Sequence, residues 1–189
     1  MEVVAKMQFT RNAFLCDGSF EPINQNQYAV REFNYRDAGT VCSWVTNQEM
    51  LSMVSGDIGN GLDVDILERW VETAFHKKAF VVFDVDTDKI VGFCTVSIKE
   101  LPTIQRGYIE LCHLIVNPEY CFSRYEIGLQ LTSEAEYYAE TFGFKYIIGR
   151  VVPSNNYANR LAKKSHWDFY EDNSLPESFN WYRKEAYNF

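Results

Sequence analysis

Two stretches of this chain join an apolar strand to a helix whose start is suited to an anion. In the first, Leu114-Ile115-Val116 runs into Asn117-Pro118, a polar loop follows, and a helix opens by Gly128. In the second, Val151-Val152-Pro153 leads to a helix headed by Asn155 and Asn156. A helix start presents N–H groups with no intrahelical partner and the positive end of the aligned peptide dipoles, so strand, loop and helix in that order make a cradle for phosphate. Ser123, Arg124, Tyr125, Glu126, Ile127 and Gly128 form the candidate cradle. Ser123 and Arg124 are its side-chain donors, and Gly128 is where backbone can approach a ligand closely. The plainer reading of Ser123 is a helix cap. On the preceding strand, two-residue alternation puts Tyr108, Glu110, Cys112, Leu114 and Val116 on one face and His113 on the other. Glu110, a carboxylate on a mostly apolar strand, is suited to taking a proton from an ammonium group through water. The lone strand residue His113 reads as structural.

A mixed α/β order must position these groups. The pattern predicts strands over 27–33, 79–83, 90–98, 107–116, 144–152, 167–171 and 179–187. Helices are expected from Asn34 through about Val45, from Asp63 or Asp65 to near His76, over 127–142 and over 156–164. The glycine-rich segment 56–61 reads as a loop, and Asp86-Thr87-Asp88-Lys89 as a hairpin turn. Ile127, Leu131, Ala135, Tyr138 and Phe142 are the expected buried stripe of the long helix. Residues 1–26 are expected to be an N-terminal extension packed on a single domain over 27–189, with a strand over 3–9 and a turn at Cys16-Asp17-Gly18-Ser19.

At 189 residues, 47% hydrophobic and 16% aromatic, the chain can build one well-filled core. A net charge of −8 argues against nucleic acid and against an anionic membrane surface, and favours a cationic partner. An anionic ligand must then rely on backbone donors. No apolar run approaches the ~20 residues of a membrane span, and the opening residues do not read as a signal peptide. Five cysteines without CxxC spacing suit reduced thiols and a cytoplasmic location. The three histidines are scattered, and no metal site is expected.

The segment Asn155-Asn156-Tyr157-Ala158-Asn159-Arg160-Leu161-Ala162-Lys163-Lys164-Ser165-His166-Trp167 is similar to a motif of the GNAT N-acetyltransferase superfamily, Asn-x-x-Ser/Ala-x-x-Leu-x-x-Lys-x-Gly-Phe. Asn155, Ala158, Leu161 and Lys164 fit, while His166 and Trp167 replace the last two residues. Ser123 to Gly128 resembles the family's phosphate loop, Gln/Arg-x-x-Gly-x-Gly/Ala, with departures at Ser123 and Glu126 and a loop about two residues longer than usual. Leu161-Ala162-Lys163-Lys164 and Val30-Arg31-Glu32-Phe33 resemble the Rim-type branch, whose relatives include polyamine and aminoglycoside acetyltransferases.

The resemblance implies an α/β GNAT acyl-CoA N-acyltransferase fold, a mixed central sheet flanked by helices. It implies acetyl-CoA as acyl donor and direct attack by a primary amine, a small cationic amine or a protein N-terminus, in a ternary complex. Leu114 would offer its N–H to the oxyanion, Leu114, Ile115 and Val116 would meet the pantetheine arm, and Asn155 and Ala158 would flank it. Glu110 resembles the family's general base. In many relatives a tyrosine protonates the leaving thiolate; Ala162 stands at that position, which leaves Tyr157 as the substitute or a thiolate that departs without a dedicated acid. Cys112 and Cys121 raise a ping-pong route, against which a strand cysteine usually just packs. The helical region after the first strand would shape the acceptor pocket, with Asp57, Asp63 and Asp65 as attractors of a cation. A monomer or homodimer is expected. Glu126 and Ala162 prompt an alternative, a catalytically silent GNAT-fold module that binds CoA or a protein partner; a further one is transfer of another acyl group.

Overall fold

Seven segments form one mixed sheet, the central β2 and β3 as near-continuous buried apolar runs: β1 (Tyr28–Glu32), β2 (Lys77–Asp84), β3 (Ile90–Leu101), β4 (Ile104–Val116), β5 (Tyr146–Val151), β6 (Asp168–Phe169) and β7 (Asn180–Glu185). The computed structural model describes residues 27–55, 57, 59–72, 77–101, 104–172 and 175–186. The expected extension over 1–26 and the helix end near His76 lie outside the described residues. Spatial order is β1-β2-β3-β4-β5-β7-β6. Neighbours run antiparallel except β4 and β5, which are parallel. All seven expected strands are present, with shifted ends. β6 is short, Asp168 and Phe169 pairing with Arg183 and Tyr182 of β7, and the Tyr170 N–H next to it donates to the Trp181 carbonyl at 2.9 Å.

The helices are α1 (Ala38–Cys42), α2 (Gln48–Ser55), α3 (Val64–Glu72), α4 (Arg124–Thr141) and α5 (Asn156–Lys164). Asn34 opens the first helical region with a capping box, its side chain accepting from Arg36 and its own N–H donating to Asp37. Arg31 of β1 grips the same Asp37 carboxylate at 2.7 and 3.0 Å. Sequence patterning did not anticipate α2, in which only Leu51 is buried. Asp63 is the cap of α3, accepting from the Ile66 N–H at 2.8 Å. α4 buries Ile127, Leu131, Thr132, Ala135 and Ala139. Its stripe therefore ends on Ala139, not on Phe142, which follows the last helical residue and is 56% exposed.

The sheet separates two apolar layers. On one face Val41, Trp44, Leu51, Leu67 and Trp70 of the α1–α3 region pack on Val81, Phe93 and Ile115. On the other, Ile127, Leu131, Ala135 and Trp167 pack on Val82, Cys94, Val96, Ile109, Leu111 and Val116. β4 thus contributes Ile109 and Leu111, but then Val116, to the same layer. The reason is a bulge. Phe93 pairs with Ile115 and Thr95 with Cys112, so two residues of β4, His113 and Leu114, oppose one of β3. His113 absorbs the kink at φ 51°.

This bulge corrects the expected alternation. Glu110 and Cys112 lie on the face of their cross-strand partners Ser97 and Thr95, and His113 stays on that face instead of crossing over. Leu114 and Val116 go to the α4 face. A one-residue insertion reverses the parity of every side chain after it.

Candidate active site

The parallel contact between β4 and β5 is short. It pairs Ile109 with Ile147, Glu110 with Ile148 and Leu111 with Gly149, and then stops. Beyond that point the strands part, β4 bent by its bulge and β5 running on to Val151. The opening is a cleft lined by Cys112, His113 and Leu114 from one strand and Arg150 and Val151 from the other. Met53 and Val54 of α2 close its mouth, and Ala158 and Ala162 of α5 form part of its far wall.

The α4–α5 side holds the segment expected to be an anion cradle. After Val116, Asn117 caps a single turn over Pro118–Tyr120, and α4 then starts at Arg124. Ser123 makes no capping hydrogen bond. The first-turn N–H groups of Arg124, Tyr125 and Glu126 therefore have no acceptor among the described residues, the condition in which a helix start receives an anion. The rim is basic despite the net charge. The Arg124 guanidinium lies 5.3 Å from the Tyr157 ring, and the Lys164 ammonium 4.7 Å from the Tyr125 ring. Arg160 and Lys163 are exposed on α5. The Ser123 side chain and Glu126 both lie near Tyr28 of β1, and burial raises the Glu126 pKa.

Several expected ligands serve the scaffold. Ile127 has its side chain in the core, and its N–H bonds the Ser123 carbonyl at 3.0 Å. Gly128 is buried beneath α5, and a Cβ there would lie 2.8 Å from the Tyr157 hydroxyl and 2.9 Å from Leu161. The missing side chain thus admits another helix. The Tyr157 hydroxyl donates to the Arg124 carbonyl, tying α5 to the first turn of α4. Asn155 uses both ends of its amide. Oδ1 caps α5 through the Ala158 N–H at 3.0 Å, and Nδ2 donates to the Met53 carbonyl of α2 at 3.3 Å. Sequence reading overlooked Asn159, whose Oδ1 accepts from Asn180 and the Tyr182 hydroxyl, both at 2.9 Å.

The opposite side is a contact chain of side chains. Trp70 of α3 stacks on His113 at 4.0 Å with 4° between the planes, and its indole N–H donates to Asp57 at 2.9 Å. Burial acts to raise the Asp57 carboxyl, but donation from the Trp70 indole, with the nearby Ser55 hydroxyl, outweighs it and holds the group low. The Thr95 hydroxyl lies 2.7 Å from His113 Nδ1. Burial, aided by the nearby Arg150 charge, pulls the His113 pKa down to about 3, so the ring is neutral near pH 7. Burial, with Glu110 adding negative charge, pushes the Cys112 thiol up to about 12. A thiol kept protonated is a poor nucleophile, which removes support from a covalent route through Cys112. Glu110 is buried beside Arg150, with Oε1 3.2 Å from Nε.

The structure thus brings Glu110, Cys112 and His113 together with three residues that sequence reading did not connect to them: Trp70, Thr95 and Arg150. Two of the three expected acidic attractors have local duties, Asp57 at Trp70 and Asp63 at the α3 cap.

A family model described as "Acetyltransferase (GNAT) family" matches residues 60–167. No curated protein matches the sequence significantly. Solved structures share the fold. The GNAT domain of PAT from S. lividans is 12% identical with a TM-score of 0.65, covering 93% of this chain and 96% of that one. Spermidine N-acetyltransferase from Vibrio cholerae, solved with CoA and spermine, is 18% identical with a TM-score of 0.58 over 83% of this chain and 93% of that one. The putative acetyltransferase yncA from Salmonella typhimurium, solved with acetyl-CoA, is 12% identical with a TM-score of 0.63 over 87% and 96%.

Proposed function

The chain belongs to the GNAT acetyltransferase family, and from that membership we propose that it transfers acetyl from acetyl-CoA to a primary amine by direct attack in a ternary complex. The observation that carries this reading is the register of two features: a bulged, parted β4–β5 seam opens beside an uncapped helix start with a basic rim. The donors fit the proposed substrate. First-turn amides of Arg124, Tyr125 and Glu126, with the Ser123 hydroxyl and the Arg124 charge, suit a pyrophosphate. The unpaired β4 edge over Leu114, Ile115 and Val116 suits the amides of an extended arm, and Ala158 keeps α5 clear of it.

When bound, acetyl-CoA supplies an activated acetyl thioester. The residues do the rest. Leu114 N–H, at the bulge, is the donor assigned to the negative charge that builds on the carbonyl oxygen. Glu110 takes one proton from the ammonium through water. The freed electron pair forms the C–N bond, the C–S bond breaks toward sulfur, and a second amine proton ends on sulfur. Tyr157, whose hydroxyl is held by the Arg124 carbonyl, is assigned to positioning the cradle, so the thiolate takes its proton without a dedicated acid.

Isothermal calorimetry with acetyl-CoA, paired with release of free thiol on adding amines, tests this. Binding should also raise Tm, since ligand at a hundred times Kd stabilises by about 2.7 kcal/mol. Absence of heat and of a Tm shift at millimolar acetyl-CoA would reject the reading.

A further inference from the structure

The Arg150–Glu110 pair spans the seam between β4 and β5, and only part of it is used. Arg150 turns its Nε toward Glu110 Oε1 at 3.2 Å, and its guanidinium lies 5.3 Å from the Phe179 ring. Held at that edge and stacked on that face, the guanidinium has both Nη groups without a hydrogen-bond partner among the described residues. Arg150 also lines the cleft. A guanidinium so held presents a planar fork of N–H donors, which matches a carboxylate or a phosphate, and the neighbouring Glu110 favours the carboxylate of a substrate that also carries an ammonium.

The local field agrees. The chain as a whole carries −8. Lys77 and Lys99 add positive charge near Arg150, Cys112 and Glu110, and positive charge from Arg150 and Lys77 acts on His113 against that of Asp57. A polycation would meet repulsion there. Glu110 beside Arg150 presents a negative and a positive group a few ångströms apart, the arrangement that complements an ammonium and a carboxylate on adjacent carbons.

We infer that the acceptor is an amine carrying a carboxylate next to it, a free α-amino acid or a compound with that head group, and that Arg150 recognises the carboxylate while Glu110 receives the amine. This rests on the amine-acetylation reading and narrows it, away from the cationic acceptor that net charge suggests.

Matched pairs test the inference on the unaltered protein: each common α-amino acid beside its α-amide and its decarboxylated amine, with thiol release as readout. For the accepted side chain, kcat/KM should favour the carboxylate over both neutral-headed counterparts by about a hundredfold, as expected for a charge-assisted bidentate contact. Arg150→Lys keeps the charge beside Glu110 and removes the fork. It should bring that ratio close to one, through KM more than kcat. Amides, simple amines or polyamines turned over as well as or better than the amino acids would overturn the inference and leave the acetyltransferase reading standing. An unchanged ratio in Arg150→Lys, with the variant's Tm intact, would overturn the role of Arg150. Acetyl-CoA binding with no turnover of any pair would overturn the inference together with the amine reading beneath it.

Discussion

On the α4–α5 side of the cleft, the groups aimed at a ligand are backbone amides and small residues. On the α2–α3 side they are side chains in contact with one another. The first wall needs Ser123 to leave its helix uncapped and Gly128 and Ala158 to stay small. The second needs Glu110, His113, Trp70, Thr95 and Arg150 to meet from four elements. A backbone wall suits a ligand that is the same for a whole family, while a side-chain wall can differ from one member to the next.

Three measurements probe that contrast. The largest effect is expected at Glu110. Glu110→Gln should lower kcat by roughly 10²-fold or more while acetyl-CoA affinity by calorimetry barely moves, because the change touches one wall only. Wild-type turnover across pH 6 to 9 would reduce Glu110 to a structural partner of Arg150.

The next effect is on stability. His113 is held at about 3 in the fold, whereas an unfolded histidine titrates near 6.5. Between those values only the unfolded chain takes the proton, so stability falls as pH drops through the window, by up to about 1.4 kcal/mol per pH unit. Ordinary carboxylates titrate below the range of about pH 5 to 6.5, and the half-buried Glu126 and Glu134, whose pKa values are raised, give a slope of the opposite sign. Urea unfolding at those pH values should show the slope, and His113→Asn, which tolerates positive φ, should flatten it. A slope unaltered in the variant would assign it elsewhere.

The smallest effect belongs to the backbone wall. Gly128→Ala places a methyl against Tyr157 and Leu161 and should cost about 1 to 2 kcal/mol by overpacking. Cofactor affinity should weaken as α5 shifts, and the selectivity among acceptors should hold. Affinity unchanged with Tm lowered would separate the α4–α5 crossing from the cradle.

The backbone wall was largely legible in the sequence. α5 spans Asn156–Lys164 as patterned, and the β4–loop–α4 order is as expected. The role of Gly128 was not, because a glycine near the start of a helix looks the same whether phosphate or another helix approaches it. The side-chain wall was hidden by the bulge. Alternation along β4 reads smoothly through His113, and only the apolar positions Ile109, Leu111, Leu114 and Val116, with their one odd gap, record the inserted residue. Trp70, Thr95 and Arg150 lie too far along the chain for any local period to link them to His113. α2 escaped notice because one buried leucine does not make a stripe.

The three-residue parallel contact has a consequence for folding. β2, β3 and β4 can assemble as consecutive antiparallel strands joined by short connections, whereas β5 meets β4 only after the chain has passed through α4. The seam where the strands part is thus also the joint between an early-forming and a late-forming half of the sheet. Hydrogen exchange at β5 and β7 should report that joint as a unit of local opening, and a molecule lodged across both strands acts as the rivet that holds it shut.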